Sequence, residues 1–136
     1  MSVFDTIRIA ASGLTAERLR MDVAASNLAN AQSTRGPNGV PYADQAVVFQ
    51  ATPMGLSPAQ QGVSAVAITN PARPNTRVYD PTNPDAGTDG FVTYPNVDVA
   101  SEMTDLMGAA RSYQVNATVA QAAKQQALDA LDLGRA

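Results

Sequence analysis

The chain has 136 residues, a formal charge of −3 and a sequence pI near 4.6, with only 5% aromatic residues. That is room for one ordinary domain with thin material for a self-sufficient core. Nine Lys and Arg are scattered along it, which makes nucleic acid a poor partner, since phosphate binding needs clustered cations. Cys and His are absent, which excludes disulfides, thiol chemistry, Ser-His-Asp triads and the usual zinc and iron sites, while leaving the compartment open.

The first predicted element is a helix over residues 3 to 30. Ser2 is a suitable N-cap, with Asp5 in the capping-box position, and Asn30, expected to cap the other end, can take the left-handed conformation there. Ile7, Leu14, Met21 and Leu28 recur every seven residues, with Phe4, Ala11 and Ala25 interleaved and Arg18 breaking the second row. No cleaved secretory signal is expected, because Asp5, Arg8, Ser12 and Thr15 interrupt any apolar core.

All nine prolines lie between Pro37 and Pro95, and the middle, residues 36 to 97, reads as a small irregular β-rich module. Short β-forming runs occur at 46–50, 63–69, 77–79 and 91–94, separated by Pro, Gly and Asn clusters. Gly36-Pro37-Asn38-Gly39 reads as a mobile turn. The uncharged stretch 45–72 carries three prolines and cannot span a membrane. Asp80, Asn83, Asp85 and Asp89 resemble a calcium loop in composition, but position five counted from Asp80 is Pro84 and position six is Asp85 where glycine is required. Asx-capped turns are the expected reading.

A second helix is predicted from 98 to about 132, capped by Asp98 and ended by Gly134, with Glu102 and Asp105 in its early turns. Val99, Met103, Leu106, Ala110, Tyr113, Ala117 and Ala120 step by four and three, and the row resumes at Ala127 and Leu131. Tyr113 is expected to pack against the first helix. Val115, Val119 and Ala122 add a strip that a two-helix hairpin would leave in water. Gly13 and Gly108, inside the two helices, mark either close approach of a neighbouring backbone or tolerated flexible points. Asn116-Ala-Thr118 is a sequon placed mid-helix, where it is incidental. No nucleotide-binding or hydrolase motif occurs, Glu102 and Asp105 read as a solvated helix start without a pocket, and neither cofactor nor active site is expected.

Length decides how these helices are used. At 1.5 Å per residue the second would be about 50 Å long and the first about 40 Å, against a radius of gyration of about 14 Å for a compact globule of this size. The expected fold is α+β: two long terminal helices pairing as an antiparallel, coiled-coil-like hairpin, with the β-rich module between. The division is 1–35, 36–97 and 98–136. The remaining apolar faces call for other chains; a long hairpin folded onto a small β-domain is the alternative.

The segment 12–34, SGLTAERLRMDVAASNLANAQST, resembles the N-terminal signature of the flagellar axial proteins, the rod and hook family, in its SGL opening, Met21-Asp22 pair and Asn27-Leu-Ala-Asn30 ending. The stretch 78–103 together with Arg111, Tyr113, Asn116 and Lys124 is similar to the proximal-rod members, and the short chain agrees. Gln32, Ser33 and Phe91 depart from the pattern, and 35–62 is poorly matched. The resemblance implies a structural subunit without catalysis, exported unfolded by the flagellum-specific type III apparatus and packed into a hollow helical rod of the basal body. Its partners would be other copies of itself and other rod proteins, without membrane insertion. The implied contact residues are Phe4, Ile7, Leu14, Met21, Asn27, Leu28, Asn30, Val99, Met103, Leu106, Tyr113 and Leu131. Helices with so little large apolar surface are expected to stay largely unordered until assembly. A soluble coiled-coil adaptor or chaperone of a secretion system is the rival; it would be a stable helical oligomer in solution.

Overall fold

The computed structural model describes residues 2–36, 39–54, 60–70 and 73–134. Two helices, α1 (Val3–Ala29) and α2 (Val99–Leu133), flank four strands: β1 (Gln45–Pro53), β2 (Gln61–Thr69), β3 (Thr76–Tyr79) and β4 (Phe91–Tyr94). The expected α+β order is observed. Pro37 and Asn38 of the predicted mobile turn lie outside the described residues; of its remainder, Gly39 has φ +72 and Gly36 donates to the Val40 carbonyl at 2.8 Å.

Each helix begins where its cap dictates. The Ser2 hydroxyl accepts from the Asp5 amide and the Asp5 carboxylate accepts from the Ser2 amide, a complete capping box. Asp98 accepts from the amides of Ala100 and Ser101 and follows Pro95, which disfavours helix just before it. The α1 terminus corrects the expectation for Asn30. Its φ is −104, not left-handed: its backbone and side-chain amides both donate to the Ser26 carbonyl, at 3.0 and 2.9 Å, and the Ala31 amide closes the turn on the Leu28 carbonyl.

The helices pair antiparallel: Gly13 meets Asn116, Arg20 meets Asp105 and Asn27 meets Glu102. In each of these pairs the two numbers sum to between 125 and 129. Consequently α2, with 35 residues against 27, outruns the start of α1 by roughly two turns.

β1 and β2 form an antiparallel hairpin in the register Gln45↔Thr69 to Pro53↔Gln61, and β3 pairs with β4 from Thr76↔Tyr94 to Tyr79↔Phe91. The first hairpin lies on α1, which is thereby held between α2 and β2. The second is tied to the loop after α1 by Thr34 donating to Asp85 at 2.7 Å and by the Arg35–Asp85 pair at 3.5 Å. Within the 80–90 loop Asp80 accepts from the Thr82 amide and hydroxyl, Asn83 from the Asp85 amide and Asp89 from the Phe91 amide. These are the expected Asx turns.

Apolar burial is thin. Among the described residues the fully buried apolar side chains are Ala10, Ala16, Val23, Ala24, Val92, Ala109 and Ala123. Alanine faces let the helix axes come close, so the large apolar residues lie on the shoulders of the pair, not in its seam. That rotation corrects the predicted rows. The α2 seam runs through Glu102, Ala109, Asn116 and Ala123, about one residue round from Met103, Ala110, Ala117 and Lys124, while Leu106, Ala120 and Ala127 belong to both rows.

Candidate assembly interface

Where α1 ends, one side chain joins three elements. Asn27 is fully buried; its amide donates to the Gln45 carbonyl at 2.8 Å and to Glu102 at 3.1 Å. Its carbonyl accepts from the Tyr42 hydroxyl at 2.7 Å and from the Gln45 amide at 3.1 Å. Every polar atom of the amide is thus used, which a buried site requires. Glu102 continues outward to Arg73 at 3.5 Å, Arg73 reaches the buried Asp44 at 3.6 Å, and Asp44 accepts from Asn70 at 3.1 Å. A cleft of about 330 Å³ between α1, β1 and α2 is lined by Arg20, Arg73, Glu102 and Asp105 among others. The reading of Glu102 and Asp105 as a pocketless, solvated helix start is therefore corrected: Glu102 is largely enclosed and paired, and Asp105 holds Arg20 at 2.6 Å. That bond raises the Arg20 pKa further above its ordinary value and fixes its charge.

At the other end of α1 the hairpin is clasped by polar groups. The Ser12 hydroxyl accepts from the Val63 amide at 3.1 Å while donating to the Ile9 carbonyl. Arg8 donates to the Met54 carbonyl at 2.8 Å, and Gln60 donates to Asp5 at 2.9 Å. Beside Ser12, Gly13 leaves room for Asn116: a Cβ there would sit 2.8 Å from the Asn116 amide nitrogen. Of the two readings kept for the helical glycines, Gly13 takes close approach, by a side chain; Gly108 has nothing within 4 Å. The Ser-Gly-Leu and Asn-Leu-Ala-Asn signatures are thus two of the points where α1 is fastened to the rest of its own chain.

The remaining candidate residues face outward. Phe4, Val99, Met103 and Leu131 are about half to three-quarters exposed, and Ile7, Leu14, Met21, Leu28 and Leu106 are partly buried along the shoulders. Tyr113, expected against α1, is at the exposed edge of the seam. Val115 and Val119 lie in water as foreseen, joined by Met107, Leu128 and Leu133. Where α2 outruns α1, Val3, Phe4, Ala127, Ala130 and Leu131 line an apolar cleft of about 340 Å³. Sequence reasoning missed Tyr42, Gln45 and Glu102 as partners of Asn27, and Arg73 behind Glu102; the available signal was a polar amide on the buried side of an alanine-rich helix.

A helix pair that buries alanine and presents Val, Met, Leu and Phe to its surroundings defines a subunit made to pack beside other chains. Comparison with known proteins gives that class a family. A family profile described as flagella basal body rod protein matches residues 7–37, and one described as flagellar basal body rod FlgEFG protein C-terminal matches 88–133. The chain is 44% identical to flagellar basal-body rod protein FlgC of Escherichia coli O6:H1, over 99% of this chain and all of that one. Identity is 43% to the FlgC protein of Salmonella typhimurium and 40% to that of Bacillus subtilis, again over 99% of this chain and the whole of each relative. The chain belongs to the FlgC family of flagellar basal-body rod proteins, and it is a structural rod protein of the flagellar basal body.

Proposed function

We propose that the chain is a subunit of the proximal rod, polymerising helically with copies of itself and other rod proteins into a hollow shaft that transmits torque and lets exported subunits pass. It works without catalysis. It reaches the rod through the flagellum-specific type III apparatus without a cleaved signal, and the rod crosses the periplasm. The segments 1–35 and 98–136 form the inner helical layer and 36–97 the outer module.

The observation that carries this reading is the distribution of apolar side chains: alanine inside the pair, Val99, Met103, Met107, Val115 and Val119 outside it. Burying such groups against neighbours contributes about 25 cal/mol per Å², and head-to-tail contacts that do not close make a filament. Phe4, Val99, Met103, Tyr113 and Leu131 contact neighbouring subunits; Ile7, Leu14, Met21, Leu28 and Leu106 border those contacts; Asn27 and Asn30 hold the subunit's own shape. An in-frame deletion, scored for swimming and for filaments by electron microscopy, tests the assignment. It should abolish both, with restoration by the full chain; normal filaments on the deletion strain would overturn it.

A further inference from the structure

We infer that the register of the α1–α2 pair is set by three polar contacts, Asn27–Glu102, Arg20–Asp105 and Asn116 seated on Gly13, and not by its apolar seam. On α2 the row turned toward α1 repeats every seven residues as Glu102, Ala109, Asn116 and Ala123, with Ala109 and Ala123 buried, and the facing row of α1 is Gly13, Arg20 and Asn27. Alanine against alanine packs equally well after a slide of one heptad, which moves one helix about 10 Å along the other. The polar members do not tolerate it. Sliding one way sets Asn27 opposite Ala109 and Asn116 opposite Arg20; sliding the other way carries Asn27 past the start of α2 to Pro95. Either slide takes Glu102 away from the fully buried Asn27 amide, whose other bonds go to Tyr42 and Gln45 and stay in place; one amide hydrogen and the partly enclosed Glu102 carboxylate lose each other, a penalty for the wrong register.

Gly13 and Asn116 act as hole and knob. A side chain at 13 would meet Asn116 within 2.8 Å, so that pocket accepts Asn116 only because no Cβ is there. Arg20 adds a two-pronged contact to Asp105, at 2.6 and 3.4 Å. As an exposed pair it adds little to stability; its effect is on the choice between registers, where the wrong alignment leaves it unpaired. Register matters for the rod reading because α2's outward apolar row and α1's shoulder are presented to a neighbour together, and a slide of 10 Å would put them out of phase.

Two experiments test it. In a deletion strain carrying the full chain, Arg20→Asp and Asp105→Arg should each reduce swimming-ring diameter and filament number severalfold, and the double exchange should restore them. Singles that swim like the parent, or a double no better than the worse single, overturn the inference. The second measurement does not depend on the rod reading. The chain has no cysteine, so Phe4→Cys with Ala127→Cys, which line one cleft, reports register through intramolecular coupling by a short bismaleimide, with the helices of the free chain ordered by trimethylamine N-oxide. The parent should couple 4 to 127 in high yield. With Asn27→Ala and Asn116→Ala added, the yield should fall at least threefold and coupling of Phe4→Cys to Ala120→Cys or to Gly134→Cys, one heptad to either side, should rise; an unchanged 4–127 yield overturns the inference.

Discussion

Replacing Asn27 with alanine removes four hydrogen bonds at once, and the structure says which of them find substitutes. Tyr42 keeps Ser26, whose hydroxyl is 3.3 Å from its own. Glu102 keeps Arg73. The backbone amide and carbonyl of Gln45, which both bond to Asn27, lose that side-chain partner. At about 1–3 kcal/mol for each polar group left unpaired in a protein interior, with partial relief from water entering the adjoining cleft, the expected loss is about 2–4 kcal/mol. That is a large share of the 5–15 kcal/mol typical of a domain, and larger still where the buried apolar set among the described residues is five alanines and two valines. The assay is urea unfolding of the purified chain, its helices ordered without assembly partners by trimethylamine N-oxide, followed by helix circular dichroism, with Ser12→Ala as comparison, because Ser12 bonds only one amide of β2 and should cost about 1 kcal/mol. Asn27→Asp, which keeps the shape but turns a carboxylate toward Glu102 and the Gln45 carbonyl, should lose at least as much as the alanine variant. A loss below about 0.5 kcal/mol for Asn27→Ala, on the scale of ordinary surface substitutions, would refute the reasoning.

Further expectations follow from single contacts. Breaking the capping box with Ser2→Ala should cost about 1 kcal/mol, read as a lower urea midpoint. The two helical glycines should respond with opposite sign: Gly108→Ala, with open space around it, should stabilise the free chain by up to about 1 kcal/mol, while Gly13→Ala should destabilise it unless Asn116 is shortened to alanine as well; equal responses would remove the knob-and-hole contact. Asp5, Asp80 and Asp89 all have pKa values below the ordinary 3.8, held down chiefly by hydrogen bonds from the Ser2 amide, the Thr82 hydroxyl and the Phe91 amide respectively. Their folded values are depressed, so the stability they contribute is present above about pH 4 and is lost as the pH falls below it. Urea midpoints should therefore be level from pH 7 to 5 and drop beneath 4; a level profile down to pH 2.5 would contradict this. Replacing Asp80, Asp85 and Asp89 together should only mildly reduce swimming, because they shape one loop; complete loss would point to a chemical role.

The helices were legible because long-range order needs little to specify it here: nine confined prolines, two caps and an unbroken run of helix formers place α1 and α2 within a residue or two, and the four strands fall on the predicted β-forming runs with longer ends on β1. What could not be read was rotation. Periodicity identifies rows of apolar residues, and in most helices the row of largest side chains turns inward; here the row with Met103 and Val99 turns out and the row with Ala109 and Ala123 turns in. The large-residue rule fails when the chain's own packing is the minor part of its burial. Asn27 was visible as part of a signature, yet its partners Tyr42, Gln45 and Glu102 lie 15, 18 and 75 residues away, and no local pattern announces contacts of that range.

That inversion also explains why polar groups fasten this fold. A chain that keeps Val, Met and Leu for its neighbours cannot spend them on its own interior, and alanine faces alone hold helices close without saying where along each other they belong. Direction and alignment must then come from groups that bond only one way. Ser12 to Val63, Arg8 to Met54, Asn27 to Gln45 and Glu102, and Arg20 to Asp105 are such groups, distributed from one end of α1 to the other. Each is modest in free energy and specific in geometry. The same division predicts which substitutions each assay will notice: polar changes along this line should alter the stability of the isolated chain, whereas Met103→Ser or Val119→Ser, on the exposed face, should leave its unfolding within about 0.5 kcal/mol of the parent and yet depress swimming. If both kinds of change moved the urea midpoint equally, the outer face of α2 would be part of the chain's own core and the separation of roles would fall.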